Sequence, residues 1–400
     1  MLRRMVWSAA LAAVAACTLA LSGCGGGAGE GGNAADVIKI GSLQSLTGDT
    51  STFGQSSQKG IALAAEECNA AGGVLGKRVQ IVTVDDQSRS DLTPQAILKL
   101  IEQDHVVAVL GEVASGRTAA AEPEAQRHHV PLLSPASTRN DVTELGSYIF
   151  RSCFTDALQG KWIAEYAGKN LGLKKAALLV DVQNPYSVGL AQVIKEEYPK
   201  YGGQIVAEEH YASGGRDFRT QLTNIRAANP QIVFLPGYYT EIVNILPQAR
   251  ELGITVPFIG GDGWDSEQTV QIGGAAVNGC YFTNHYAPDD PDPRVQAFVA
   301  KFEKRYNGEV PDAMAVLGYD AADIMFDAIK RAGSTEGPKI RDALAETKDF
   351  PGVTGEITIG KDRNAIKPGV VLEIVDGKFK MVARMSAETD QPVTEPATQP

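Results

Sequence analysis

The chain has 400 residues, 44% hydrophobic and 21% charged, an ordinary globular composition long enough for roughly two to three domains. A formal net charge of −11 without a Lys/Arg-rich run speaks against nucleic acid as a partner, because phosphate neutralisation needs basic patches. No G-x-S-x-G elbow, G-x-x-x-x-G-K-[ST] loop, H-E-x-x-H or C-x-x-C occurs, so no enzyme, cofactor or metal site is expected.

Arg3 and Arg4 precede "MVWSAALAAVAACTLAL", the basic start and short apolar run of a secretory signal. "LSGC", residues 21 to 24, resembles the bacterial lipobox, which implies cleavage before Cys24 and lipidation of its thiol. A plain secreted protein with an incidental Cys is the alternative. "GGGAGEGGNAAD" then reads as a flexible tether. Residues 1–23 are thus a lipoprotein signal peptide and 24–36 a Gly-rich tether, which places the mature chain outside the cytoplasm on a lipid anchor.

From residue 37 apolar strands alternate with amphipathic helices. "VIKIGSL", "RVQIVTVDD", "VVAVLGEVAS" and "VPLLSPAS" read as strands, separated by helical stretches such as "SSQKGIALAAEECNAAGG". "IFRSCF", 149 to 154, looks like a crossing segment. Alternation restarts with the strands "KAALLVDV", "QIVAEEHY", "QIVFLPG" and "PFIGGDG", and a second crossing, "GCYFTNHY", follows. Helices near 294–306, 313–332 and 338–347 and the strands "GEITI" and "VVLEIVDGKFKMVARM" finish the fold. The Pro/Thr-rich residues 385–400 read as a disordered tail. Repeated β-α units are the mark of parallel sheets covered on both faces. The fold class is therefore α/β, two doubly wound Rossmann-like lobes with a ligand cleft between them.

Ligands of open α/β sheets bind beyond the carboxyl ends of strands. That rule picks out Phe53, Ser115, Ala136, Ser137, Thr138, Tyr186, Tyr238 and Asp262, with Trp264 beside them. Hydroxyls and helix N-terminal amides suit a carboxylate, and Asp262 supplies a negative charge from the other lobe. Aromatic walls from Phe53, Tyr186, Tyr238 and Trp264 would enclose an apolar part, so an α-amino acid fits. The glycines of "FIGGDGWDS" allow a sharp turn and close approach of a ligand. Blander readings stand beside these: Ser115 as a helix N-cap, Thr138 as a cap or turn residue, the two tyrosines as core-edge residues, and Asp262 as an Asx-turn acid. Arg117 reads as a solvated helix face rather than an anion clamp. Cys153 and Cys280 read as small buried thiols, although both lie in crossing segments.

Several stretches, "IKIGSLQSLTGDTSTFG", "VLGEVASGRTAAAEP", "VPLLSPASTRNDVTELGSYIFRSC", "NPYSVGLA", "PGYYTEIVNILPQARELGI" and "FIGGDGWDS", run in an order that resembles the periplasmic solute-binding proteins of branched-chain amino acid ABC transporters, the leucine/isoleucine/valine-binding type. The resemblance implies two lobes joined by three crossings and closing by a hinge: residues 37–150 and 284–352 as lobe 1, and 151–283 and 353–384 as lobe 2. It implies that Ser115 and Thr138 hold the ligand carboxylate and that the Ala136 carbonyl, Tyr238 and Asp262 receive its ammonium. Phe53 and Tyr186 would shape the side-chain pocket. The implied partners are an amino acid, or in related receptors an amide or aromatic acid, and a permease–ATPase complex. Two departures stand out: Asp262 replaces the Glu of the leucine type, and "ASGRT" stands where the leucine type has a run of small hydroxyl residues, so that Arg117 would change the pocket's reach.

Overall fold

The computed structural model describes residues 37–387. The signal peptide, Cys24 and the tether lie outside them, as do residues 388–400 of the tail; Met385 still belongs to a strand. In the first lobe β1 (Val37–Gln44), β2 (Arg78–Asp85), β3 (Val109–Gly111), β4 (Leu132–Ser134) and β5 (Ile149–Arg151) alternate with α1 (Ser51–Ala70), α2 (Thr93–Leu98) and α3 (Ser115–Arg127). The second lobe runs α4 (Asp156–Glu165), β6 (Lys175–Asp181), α5 (Pro185–Glu197), β7 (Gln204–Tyr211), α6 (Arg219–Ala227), β8 (Ile232–Phe234), α7 (Tyr239–Glu251), β9 (Phe258–Gly260), α8 (Glu267–Gly273) and β10 (Tyr281–Asn284). The chain then returns through α9 (Pro293–Arg305), α10 (Ala313–Ala332), α11 (Gly337–Ala345), β11 (Phe350–Gly352), β12 (Gly355–Ile359) and β13 (Ala365–Ile366). It ends on β14 (Gly369–Val375) and β15 (Lys378–Met385).

The first sheet has the order β2-β1-β3-β4-β5 and is parallel throughout. The second repeats that order as β7-β6-β8-β9-β10 and adds the antiparallel hairpin β14–β15 at the β10 edge. The inner parallel strands β3, β4, β8 and β9 are buried on both faces, as helix-covered strands must be, while the edge strands β2 and β7 are only partly covered. Along β3, β4 and β5 one residue faces each way: Val109, Leu132 and Ile149 pack toward α2 and α3, while Leu110, Leu133 and Phe150 pack toward α1 and α10. In β6, Ala176 and Leu178 join one core layer and Ala177 and Leu179 the other, the two-residue period of a strand.

Three segments cross between the lobes: after β5, after β10 and after β13. The last corrects the expected boundary at residue 352. Ile357, Ile359 and Ala365 are buried in the core built by α1 and α10, so the small β11-β12-β13 sheet belongs to the first lobe. Period-2 burial of "GEITI" reports that one face is covered, not which lobe covers it. The lobes meet closely. The Tyr239 hydroxyl donates to the Asp49 carbonyl at 3.0 Å, Thr52 and Ser266 hydroxyls lie 3.2 Å apart, and the Ala313 amide that opens α10 donates to Asp265 Oδ2 at 2.8 Å.

Candidate ligand-binding site

Both sheets end their central strands at the lobe interface. From the first lobe, Val113 and Ser115 follow β3, Ala136 and Thr138 follow β4, Phe53 sits in the first turn of α1 and Met314 in that of α10. From the second, Tyr186 opens α5, Tyr238 immediately precedes α7, and Asp262 and Gly263 follow β9. Together they line one cavity with about 230 Å³ of empty space, part of it open to solvent. The structure therefore brings together Phe53, Ser115, Ala136, Thr138, Tyr186, Tyr238 and Asp262, seven residues that the sequence singles out.

Ser115 is the first residue of α3, and Ala114 occupies the cap position without a side-chain cap bond. Ser115 Oγ accepts from the Arg139 amide at 3.2 Å, which ties the loop after β4 to α3. The first amides of any helix lack intrahelical acceptors, so this end of the cavity is rich in donors and hydroxyls. Across it, Tyr186 and Tyr238 stack with ring centroids 5.3 Å apart. Phe53 meets Tyr238 edge-on at 5.6 Å, closing an aromatic wall drawn from both lobes.

Asp262 is 3% exposed and does not serve as a turn acid. Its Oδ1 accepts from Gln159 Nε2 at 2.9 Å and from the Tyr186 hydroxyl at 2.9 Å, and its Oδ2 lies 3.1 Å from His285 Nε2. Burial pushes the His285 imidazole down to about 4, although the neighbouring Asp262 carboxylate pulls the other way. At neutral pH the contact is a hydrogen bond from a neutral ring, not an ion pair. The glycines around Asp262 serve space rather than left-handed backbone: Gly261 has φ −107° and ψ −168°, an extended conformation open to any residue. A Cβ there would collide with Gln159 Oε1 and the Tyr186 hydroxyl, and one on Gly263 with the Gly237 carbonyl.

Two predicted site residues do not line the cavity. The Trp264 indole is fully buried in the core beneath α7 and donates to the Leu235 carbonyl at 3.0 Å; it packs its own lobe. The Ser137 hydroxyl pairs with Thr118 Oγ1 at 2.6 Å, and its amide with Ser134 Oγ at 3.1 Å, so it braces the loop from behind. Arg117 also departs from expectation. It is 6% exposed, with Nε 3.0 Å from Glu112 Oε2 and Nη2 donating to Thr50 Oγ1 at 2.8 Å. The face of α3 that carries it is covered by the β1–α1 loop, and a charge placed there needs carboxylates around it. Asp86, 3.7 Å away, is pushed up to about 7 by burial and by Glu112.

Gln159, His285 and Asp156 escaped the sequence reading. Asp156 is fully buried at the start of α4, and its two oxygens make no hydrogen bond of ordinary geometry among the described residues. Burial and then the Asp262 charge push its carboxyl up to about 8. The signal available was "TDALQ", an acid and an amide three residues apart at the head of a helix just after a crossing, hence on one face. Cys68, Cys153 and Cys280 are free buried thiols. No group of three His, Cys, Asp or Glu among the described residues is arranged to hold a metal.

Two α/β lobes of one topology, hinged by three crossings around a cavity with a donor-rich end and an acidic end, define a solute-binding receptor rather than an enzyme. The chain belongs to the periplasmic binding protein family, whose model matches residues 37–378. It is similar to the leucine-binding protein LivK of Thermotoga maritima, with 37% identity and a TM-score of 0.84 over 87% of this chain and 99% of that one. LivJ of Streptococcus pneumoniae, a branched-chain amino acid transporter substrate-binding protein solved with isoleucine, is 35% identical with a TM-score of 0.83 over 90% of this chain and 100% of that one. A solute-binding protein of Rhodopseudomonas palustris solved with 3,4-dihydroxybenzoic acid is 27% identical with a TM-score of 0.80 over 90% of this chain and 99% of that one.

Proposed function

We propose that this receptor captures an aliphatic branched-chain α-amino acid between its lobes and delivers it to an ABC permease, held near the membrane by a lipid on Cys24. The observation that carries the reading is the polarity of the cavity. Ser115, Thr138 and the head of α3 face a ligand carboxylate, Asp262 and Tyr238 face an ammonium, and Phe53, Val113 and Met314 leave an apolar space for the side chain. A zwitterion with a short aliphatic chain matches all three regions. The leucine- and isoleucine-related neighbours support the same class.

Thermal-shift measurements and calorimetry with leucine, isoleucine, valine, benzoate and 3,4-dihydroxybenzoate test it. A specific ligand raises apparent stability by RT ln(1 + [L]/Kd), about 2.7 kcal/mol at a hundred-fold excess over Kd. Stabilisation is expected from the aliphatic amino acids. Stabilisation by the aromatic acids alone would assign the receptor to the chemistry of its dihydroxybenzoate-bound neighbour.

A further inference from the structure

We infer that His285 is a positioning and specificity-determining residue: a neutral imidazole in the second crossing segment holds Oδ2 of Asp262 so that the short acid presents its charge to a ligand cation. The inference rests on the amino-acid reading of the cavity. The Asp262 carboxylate is fixed at both oxygens, by Gln159 and Tyr186 on Oδ1 and by His285 on Oδ2. A carboxylate offers about four acceptor positions, so one direction is left for a further donor.

The chemistry of the three donors matters as much as their number. An amide, a phenol and a neutral imidazole orient the carboxylate without cancelling its charge. A lysine or arginine at the same distance would satisfy Asp262 and compete with the ligand ammonium. His285 is kept neutral by its surroundings. The ring is 2% exposed and stacks on Phe154 with centroids 3.7 Å apart and planes at 16°. Its Nδ1 has no hydrogen-bond partner among the described residues. The charged groups acting on it are Asp262 and Lys367, and Lys367 in the third crossing further disfavours a second positive charge. A neutral ring with Nε2 against a carboxylate and Nδ1 unpartnered carries its proton on Nε2. Phe154 and His285 belong to the first and second crossings, so two hinge segments clamp the ring that aims the acid.

Leucine titrations of the wild-type protein, His285→Gln and His285→Phe provide the test. Gln carries an NH₂ donor near the Nε2 position, whereas Phe keeps the stack on Phe154 and loses the donor. Gln is expected to bind within a few-fold of wild type. Phe is expected to weaken leucine binding by roughly ten- to a hundred-fold, the scale of a lost hydrogen bond to a charged group. Equal weakening in both variants, or none in Phe, would overturn the inference. If wild type binds isoleucine or valine instead of leucine, that amino acid is used for the variants; binding of the aromatic acids alone overturns the amino-acid reading, and the ring's state is then read from its nitrogen-15 spectra. Nitrogen-15 spectra of the ligand-free wild type keep the test independent of whether the variants fold. A neutral Nε2–H tautomer at neutral pH is expected, and an imidazolium or an Nδ1–H tautomer overturns the assignment.

Discussion

Removing the charge of Asp262 while keeping its size is the most direct probe of a carboxylate that accepts only from neutral groups. In Asp262→Asn one oxygen becomes an NH₂ that must face Gln159 and Tyr186 or His285, all donors in the native arrangement. The ammonium proposed to lie opposite loses its countercharge as well. Leucine affinity is expected to fall by about 2–5 kcal/mol, the range for truncating one partner of a buried charged pair, read by calorimetry; unchanged affinity would remove Asp262 from the site. This acid and the hydroxyls facing it were legible in the sequence because each follows an apolar strand, where open α/β sheets place ligands. His285, Gln159 and Arg117 were not. Their partners come from segments 23, 103 and 67 residues away, too far for local pattern to report what will cover each side chain.

The end of β9 shows how an element is constrained by what packs over it. "GGDG" suggested a sharp turn, yet Gly261 is extended, and its lack of a side chain leaves room for the Gln159 amide and the Tyr186 ring. Gly261→Ala is therefore expected to act by overpacking, costing about 1–3 kcal/mol and dislodging two of the donors to Asp262. Urea midpoints measure the first effect and leucine titration the second. A variant with wild-type stability and affinity would show that α4 and α5 can withdraw freely from this loop. The same contrast between local and distant information governs the rest of the fold. Strand and helix alternation, the two matching sheets and the first two crossings follow from apolar periodicity. The third crossing was misplaced because β12 alternates like any half-buried strand while its partner core, on α1 and α10, is built from segments at both ends of the first lobe.

Across the whole molecule, the closed lobes bury acids against one another. Asp265 of the second lobe accepts from Asn284 at 2.8 Å and from the head of α10. Asp312, the cap of α10, accepts from Ser56 at 2.6 Å and from the Ala315 amide at 2.9 Å. Burial raises Asp265 to about 6, while burial and the Asp265 charge raise Asp312 to about 7. A carboxyl raised on folding binds a proton that the unfolded chain has already lost. Its stabilisation is complete below the ordinary carboxylate value of about 4 and disappears as pH rises through the raised value. His285 has the opposite sign at lower pH. Pushed down to about 4, it lets stability rise as pH climbs from about 4 toward its ordinary 6.5. Between about pH 4 and 6 the two raised acids outweigh the single lowered imidazole, so the ligand-free protein should lose urea resistance as pH rises from about 4 to about 7. Because Asp265 and Asp312 face each other across the lobes, opening relieves the same repulsion, so the radius of gyration in solution scattering should grow over that interval. Asp312→Asn keeps a good helix cap and removes the ionisation. It is expected to lessen both trends, and an Asp312→Asn protein that opens and weakens with pH as wild type does would move the source of the effect away from this interface.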